Sequence, residues 1–309
     1  NLPTHVEIYG MTKSKQEKRW KTIEPLARCN VIQRYKLSLQ TLNNDRGLLS
    51  FIVGDSPARL TPDATSLSNW GNNVNAVTGD GEKGLVTTDS NTAVYYPWAE
   101  TTDLLGNNIV VPPSHVMLRT IALSDNVSYP WFAPAGTRRG VVDNAVQIGY
   151  VNATTGEFES LGVNQGLRDT LYENAVNPIT FIPGVGITNF GNKTTTTVAS
   201  AMDRINVARL VAYIRGRLEV IGKQFLFEPN DQITRNEIKN AIDGLMIDLV
   251  AKRGIYDYLV VCDLSNNTPA RIDRNELYVD IAIEPVKAVE FIYIPVRIKN
   301  TGEISGTAS

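Results

Sequence analysis

A chain of 309 residues with 30 Lys plus Arg against 32 Asp plus Glu carries a formal net charge of -2. That balance argues against a dedicated nucleic-acid binder, although it leaves room for a local basic patch. Hydrophobic residues at 42% and charged residues at 20% are ordinary for a globular protein. The length suits about two domains and buries enough surface to fold without covalent staples.

In chain order, Val6–Met11 predicts a short strand and Lys13–Lys21 a solvated basic run with one tryptophan, Trp20. Pro25 is tolerated in the first turn of a helix and opens one towards Leu39. Leu48–Val53 is continuously apolar, as a buried strand is, and stops at the turn cluster Gly54-Asp55-Ser56-Pro57. Thr61-Pro62-Asp63 has the form of an N-cap with proline at the first helical position. Gly71–Gly84, rich in Asn, Gly and Asp, predicts an exposed loop. Thr92–Trp98 predicts a strand, and Thr102–Val111 a hairpin turning at Gly106-Asn107-Asn108. Pro112-Pro113 opens a helix through about Leu123. Tyr129–Gly140 holds too much proline for regular structure, so Trp131 and Phe132 are expected to dock as a fixed loop. Gly166–Ala175 reads as a short helix, and Ile179–Thr188 as a strand pair broken at Pro183-Gly184.

Gly191–Ser200, with four consecutive threonines, marks a domain joint. The best helix follows: Val207, Leu210, Val211, Ile214, Leu218 and Ile221 repeat at the spacing of one buried stripe. Arg204, Arg209, Arg215, Arg217 and Lys223 occupy the other face, read as solvated. A second helix begins at a capping box, Thr234 to Glu237, and buries Ile238, Ala241, Ile242, Leu245 and Leu249. Lys252-Arg253 and then Gly254 supply its stop. Ile255–Cys262 is a strand, and Leu277, Val279, Ile281 and Ile283 alternate with polar neighbours as another. The last strand, Ala288–Ile298, is the strongest: β-branched and aromatic residues dominate, and both faces are largely apolar. Such a strand must be covered on both faces. Pro295 cannot donate to a ladder and points to an edge, where backbone groups are left to pair with another chain.

Sites for chemistry are missing from this pattern. The two histidines, His5 and His115, are isolated, and no strand-turn Gly-x-Ser-x-Gly elbow accompanies them. Cys29 and Cys262 fit no metal or redox spacing. Gly79–Gly84 superficially suggests a phosphate loop but lacks the Gly-Lys-Ser/Thr ending, and its two acids repel phosphate. Asp263, Asp273 and Asp280 could pair in space for acid-base work, but spacing alone shows nothing. No catalytic, cofactor-binding or metal-binding residue is assigned. No apolar run reaches membrane-spanning length and no signal-peptide core opens the chain, so a soluble protein made in a reducing cytoplasm is expected. Asn1-Leu2-Pro3 in place of an initiating methionine suggests a chain cut from something longer.

Several motifs, in order, resemble one family. They are Tyr95-Tyr96-Pro97-Trp98, Val111-Pro112-Pro113-Ser114-His115-Val116, and Trp131-Phe132-Ala133-Pro134-Ala135-Gly136 with Arg138-Arg139-Gly140. Asn206-Val207-Ala208-Arg209-Leu210, Phe227-Glu228-Pro229-Asn230-Asp231 and Ile283 to Phe291 complete them. Over roughly residues 45 to 300 the chain is similar to the sheath proteins of contractile phage tails and related injection machines. It departs at Asn189-Phe190-Gly191-Asn192-Lys193-Thr194, where many members have a Trp-Gly-x-Arg-Thr run, and it matches loosely before Leu48.

The resemblance implies an α/β fold: a mixed β-sheet flanked by helices, with an extended C-terminal β-strand arm. It further implies a middle sheath core portion over 1–195 and a C-terminal sheath domain over 196–309, with the arm from about 284 to 309. The function implied is that of a structural subunit in the virion tail, not an enzyme. Its partners would be other sheath subunits in hexameric rings or a six-start helix, the tail tube protein, the baseplate and the tail terminator. Neither nucleic acid, membrane insertion nor a cofactor is implied. Extended arms would link neighbouring subunits, with Ala288–Ile298 as the C-terminal arm or the strand that receives a neighbour's arm, so the expected assembly residues are Val289, Phe291, Ile292, Tyr293, Ile294, Val296 and Ile298. Eleven extended residues reach about 36 Å, enough to cross an interface. Two other classes stay open: a hydrolytic or binding enzyme with scattered carboxylates, and a virion attachment protein with an aromatic-lined cleft.

Overall fold

The computed structural model describes residues 43, 45, 49–71, 90–196, 198–290 and 292–294. The predicted elements at Val6–Met11, Lys13–Lys21 and Pro25–Leu39 lie outside them, as do Gly79–Gly84, His5 and Cys29.

β1 (Ile52–Asp55) runs straight through Gly54-Asp55, where the sequence predicts a turn. The parallel ladder to β2 (Thr92–Tyr96), from Ile52↔Thr92 to Asp55↔Tyr95, carries it past the glycine. Asp55 then accepts from the Ser114 amide at 2.7 Å and from its hydroxyl at 2.9 Å. A carboxylate from the strand end thus caps α2 (Pro113–Val127), whose own N-cap Pro112 offers no side-chain bond. α1 (Ala64–Gly71) is capped by Asp63, which takes the Ser66 amide at 2.8 Å, and not by Thr61. Thr61 instead donates its hydroxyl to Asp63 at 2.6 Å.

The predicted strand Thr92–Trp98 divides at Pro97 into β2 and β3 (Trp98–Thr102), which belong to different sheets. β3 and β4 (Asn108–Val111) form the expected hairpin, with Asp103 gathering the Leu105 and Asn107 amides at its turn. β5 (Gln147–Val151) and β6 (Phe158–Ser160) complete an antiparallel sheet in the order β4-β3-β5-β6. α4 (Gln165–Glu173), capped by Asn164, leads into β7 (Val176–Ile182) and β8 (Gly186–Asn189), the predicted strand pair. The sheet β1-β2-β7-β8 is mixed: β2 is parallel to β1 and β7, and β8 antiparallel to β7. Leu67, Trp70, Tyr95, Tyr96, Met117, Leu171 and Ile179 form the centre of this first core.

Tyr129–Gly140 contains one helical turn, α3 (Gly136–Arg139), and otherwise docks as a fixed loop. Trp131 is buried, stacks on Tyr129 at 4.9 Å and donates from Nε1 to the Lys252 carbonyl at 3.1 Å. Among the described residues it is the one buried member of the second core drawn from outside the C-terminal third of the chain.

That second core lies among α5 (Ile205–Gln224), α6 (Gln232–Ala251), β9 (Ile255–Val261) and β10 (Asp280–Pro285). Leu210, Ile214, Ile238, Ile242 and Leu249 bury as the stripes predict, joined by Leu218, Ile221 and Leu245 at its margin. Met246 takes a central place in α6, while Ala241 faces solvent. The cap of α6 is Asp231, accepting the Thr234 amide at 2.9 Å, so Thr234 is already inside the helix and is not the start of a capping box. At the other end Arg253, with φ 60°, and not Gly254, adopts the left-handed conformation. Arg253 and Gly254 donate to the Val250 and Leu249 carbonyls, closing a Schellman motif. A Cβ at Gly254 would lie 3.2 Å from Trp131 Nε1, a tight contact that the indole would have to ease by a few tenths of an ångström. The strand predicted from Leu277 begins at Asp280, although Leu277 and Val279 still pack on the core. α7 (Pro269–Ile272) bridges β9 and β10.

Candidate assembly surface

β9 and β10 form a two-stranded antiparallel sheet from Asp280↔Val261 to Pro285↔Ile255. One face packs on α5 and α6, with Ile255 and Val260 buried and Ile281 and Ile283 at the margin. On the other, Tyr256 and Leu259 are exposed. Among the described residues neither strand has a second hydrogen-bonded neighbour, so both backbone edges are open. Open edges beside exposed apolar side chains are a template for an added strand.

The segment after β10 is held at three points. The Val286 amide donates to the Gly254 carbonyl at 3.1 Å, and the Val286 carbonyl accepts from Asn206 Nδ2 at 3.3 Å. Arg204, the N-cap residue of α5, then grips Glu290 with two bonds, Nε to Oε1 at 2.6 Å and Nη2 to Oε2 at 3.1 Å. Arg204 Nη1 also lies 3.0 Å from Asp203. Tyr172 of α4 faces the same carboxylate; burial, and then the Glu290 charge, push its hydroxyl well above the usual tyrosine range. Lys193 donates to the Tyr172 carbonyl at 2.7 Å and lies 4.2 Å from the ring centre. Burial, and then repulsion from Arg204, lower the Lys193 pKa. Burial also opposes the Arg204 charge, but the Glu290 hydrogen bond with Tyr172 and Asp203 outweighs it, and its pKa is raised. An open cavity of about 670 Å³ lies along this segment, between the α5 N-terminus and residues 287–290.

Glu290 is a covered point in an otherwise exposed segment. Ile292, Tyr293 and Ile294 are 77%, 88% and 78% exposed, and Val289 just before is also exposed. The sequence predicts a strand covered on both faces here, yet 288–290 and 292–294 lie in no ladder. A strand needs a partner edge, and among the described residues these pair with none. Phe291, Val296 and Ile298 lie outside the described residues. The Arg204–Glu290 grip is invisible to pattern reading, although a lone acid inside an apolar run was its available signal.

On the basic face of α5, Arg204 and Arg209 depart from the expected solvated stripe, whereas Arg217 and Lys223 are exposed as expected. Arg204 holds Glu290, Arg209 holds Asp125, Lys223 pairs with Glu219 at 2.6 Å, and Arg217 lies 5.2 Å from the Tyr213 ring centre. His115 is exposed on the first turn of α2, and Cys262 is buried, which raises its thiol pKa. Among the described residues no group of three or more His, Cys, Asp or Glu is placed to hold a metal. None of the described helices is long and apolar enough to cross a membrane.

This fold of two packed cores is similar to that of contractile sheath proteins. The chain superposes on the sheath of an extracellular contractile injection system, PVC, in its contracted state, with TM-score 0.63 and 24% identity over 80% of this chain and 63% of that one. Against the baseplate complex of the anti-feeding prophage in its contracted state the TM-score is 0.64, with 21% identity over 85% of this chain and 68% of the other. In sequence, residues 187–299 match the phage tail sheath C-terminal domain. The tail sheath protein of Vibrio phage KVP40 is 39% identical over 171 residues, 55% of this chain and 24% of that protein. That of Enterobacteria phage T4 is 36% identical over 191 residues, 60% of this chain and 27% of that protein. Residues 187–299 are thus similar to the phage tail sheath C-terminal domain, and the chain is similar to the phage tail sheath proteins. It spans about a quarter of the length of these curated relatives.

Proposed function

We propose that this chain is part of the structural subunit of a contractile tail sheath. The subunit polymerises around a tail tube and shortens to drive the tube through a host envelope during genome delivery. The observation that carries this is the identity of 39% and 36% to two phage tail sheath proteins, together with the family match over residues 187–299, which include the β9–β10 sheet. The partners are other subunits in rings or a six-start helix, the tube protein, the baseplate and the terminator, with assembly in the host cytoplasm and residence in the virion tail. Residues 1–195 serve as the middle core portion and 196–309 as the C-terminal domain with its arm. Val289, Phe291, Ile292, Tyr293, Ile294, Val296 and Ile298 make the arm's contacts with a neighbouring subunit, adding a strand to an open edge such as that of the β9–β10 sheet. No cofactor and no catalysis enter, because the work comes from the difference in subunit contacts between an extended and a contracted lattice. Electron microscopy of the full-length protein expressed alone tests this. Regular tubes or stacked rings, formed without ligand, are expected; a monodisperse monomer at high concentration overturns the proposal.

A further inference from the structure

The arm needs an origin as well as an acceptor, and the residues around Glu290 supply one. Four separate segments converge there: Tyr172 on α4, Lys193 in the joint, Asp203 and Arg204 before α5, and Glu290 itself. Glu290 is mostly covered, whereas Ile292, two residues later, is exposed. Among the described residues the last fixed point therefore falls on one carboxylate, held by both prongs of a guanidinium whose third nitrogen is occupied by Asp203.

We infer that the Arg204–Glu290 pair is the anchor that sets where, and in which direction, the C-terminal arm leaves the subunit, making Glu290 a positioning residue for strand exchange. The inference rests on the sheath reading above. Its physical content is tether length. If Glu290 lets go, the next attachment back along the chain is Val286, bonded to Gly254 and Asn206. Four more residues become free, adding about 13 Å of extended slack. A longer, looser tether lowers the effective concentration of the arm at its acceptor and removes its preset direction. The arm's own apolar residues are untouched by this change. The anchor therefore governs the probability of linkage, not the strength of the linked strand.

The test uses the full-length protein in four forms: wild type, Glu290→Arg, Arg204→Glu, and the double variant with the charges exchanged. Tryptic cleavage after Lys287, followed by mass spectrometry in dilute solution, reports local release without any need for polymer. The concentration at which polymer first sediments reports assembly. Both single variants are expected to cleave faster at Lys287 and to raise the assembly threshold about tenfold, with both effects reversed in the exchanged pair. Unchanged cleavage overturns the anchor. Faster cleavage with an unchanged threshold overturns its part in assembly. A wild-type protein that forms no polymer overturns the sheath reading itself, and the positioning role with it, whatever the cleavage pattern. Melting temperatures of all four forms separate release of the arm from loss of the fold.

Discussion

Arg209 on α5 and Asp125 on α2 form an ion pair, Nη2 to Oδ2 at 2.5 Å, that ties a helix of the second core to one of the first. Each charge sits near the unfavourable end of its own helix, the anion towards the C-terminus of α2 and the cation close to the N-terminus of α5. Each therefore depends on the other. The side chains are 10% and 30% exposed, and Arg209 Nη1 and Asp125 Oδ1 are enclosed without a hydrogen-bond partner.

Arg209→Ala is expected to destabilise the chain by about 2–3 kcal/mol, below the usual 3–5 for a broken buried pair because Asp125 is part-exposed. Replacing both, Arg209→Met with Asp125→Leu, should recover most of the loss, since no uncompensated charge is left. Urea midpoints for the two single variants and the double variant measure the coupling; additive losses would show that the pair does not join the cores.

Ile242 lies in the centre of the α6 stripe and is buried, whereas its neighbour Ala241 faces solvent. Ile242→Asp should cost about 4 kcal/mol or more, because it buries an unpaired carboxylate. Ala241→Asp should stay within about 0.5 kcal/mol. Thermal unfolding of the two variants separates position on the helix from the chemistry of the substitution, and equal melting temperatures would remove Ile242 from the core.

Asp231 caps α6, and its hydrogen bond from the Thr234 amide holds the carboxyl below its ordinary value of 3.8. The sign follows from the lowered folded value: the contribution is complete above the unfolded pKa and is lost as pH falls through the folded one. Asp231→Asn keeps a capping oxygen but cannot titrate. Its stability should therefore be closest to wild type in acid, with the gap widening as pH rises through the carboxylate range. Denaturation series from about pH 2 to 6 check this, and a constant gap would show that the cap charge is irrelevant.

The two long helices were legible because the 3.6-residue repeat of Val207 to Ile221 and of Ile238 to Leu249 needs only local sequence. Helix ends were less so: Thr61 and Thr234 have the right chemistry, but Asp63 and Asp231 hold the better acceptors at the right positions. The joint is the clearest difference in kind. Its polar composition marks a domain joint, yet Asn192, Thr194 and Thr195 are buried there, as are Asn177 on β7 and Asn189 on β8 beside it. Asn177 alone bonds the Val94 and Lys193 carbonyls and the Lys193 amide. Composition cannot distinguish a solvated polar stretch from one whose polar groups are satisfied by distant backbone. Arg209 was misplaced for the same reason, its partner being 84 positions away. The arm was recognisable as a strand former, but which edge it completes is not decided by its own residues.

That arm carries the last prediction. Ile292 and Ile294 are exposed in the chain and lie beyond the Glu290 grip, so their side chains contribute little to the fold of the subunit. Lysine at both positions should leave the melting temperature unchanged, as substitutions away from packed features usually do. Residues 292 and 294 point to the same face of an extended strand. When the strand is added to a neighbour's sheet, that face is covered, and two ammonium groups enter an apolar interface without partners. The full-length protein carrying Ile292→Lys and Ile294→Lys should therefore fold normally and fail to polymerise. Ile292→Val with Ile294→Val, which keeps the apolar face and the β-branching, should assemble. Thermal scans establish the first half and negative-stain images the second. Normal sheaths from the lysine variant would mean that the apolar face of the arm is not buried between subunits, and its assembly role would have to pass to other residues.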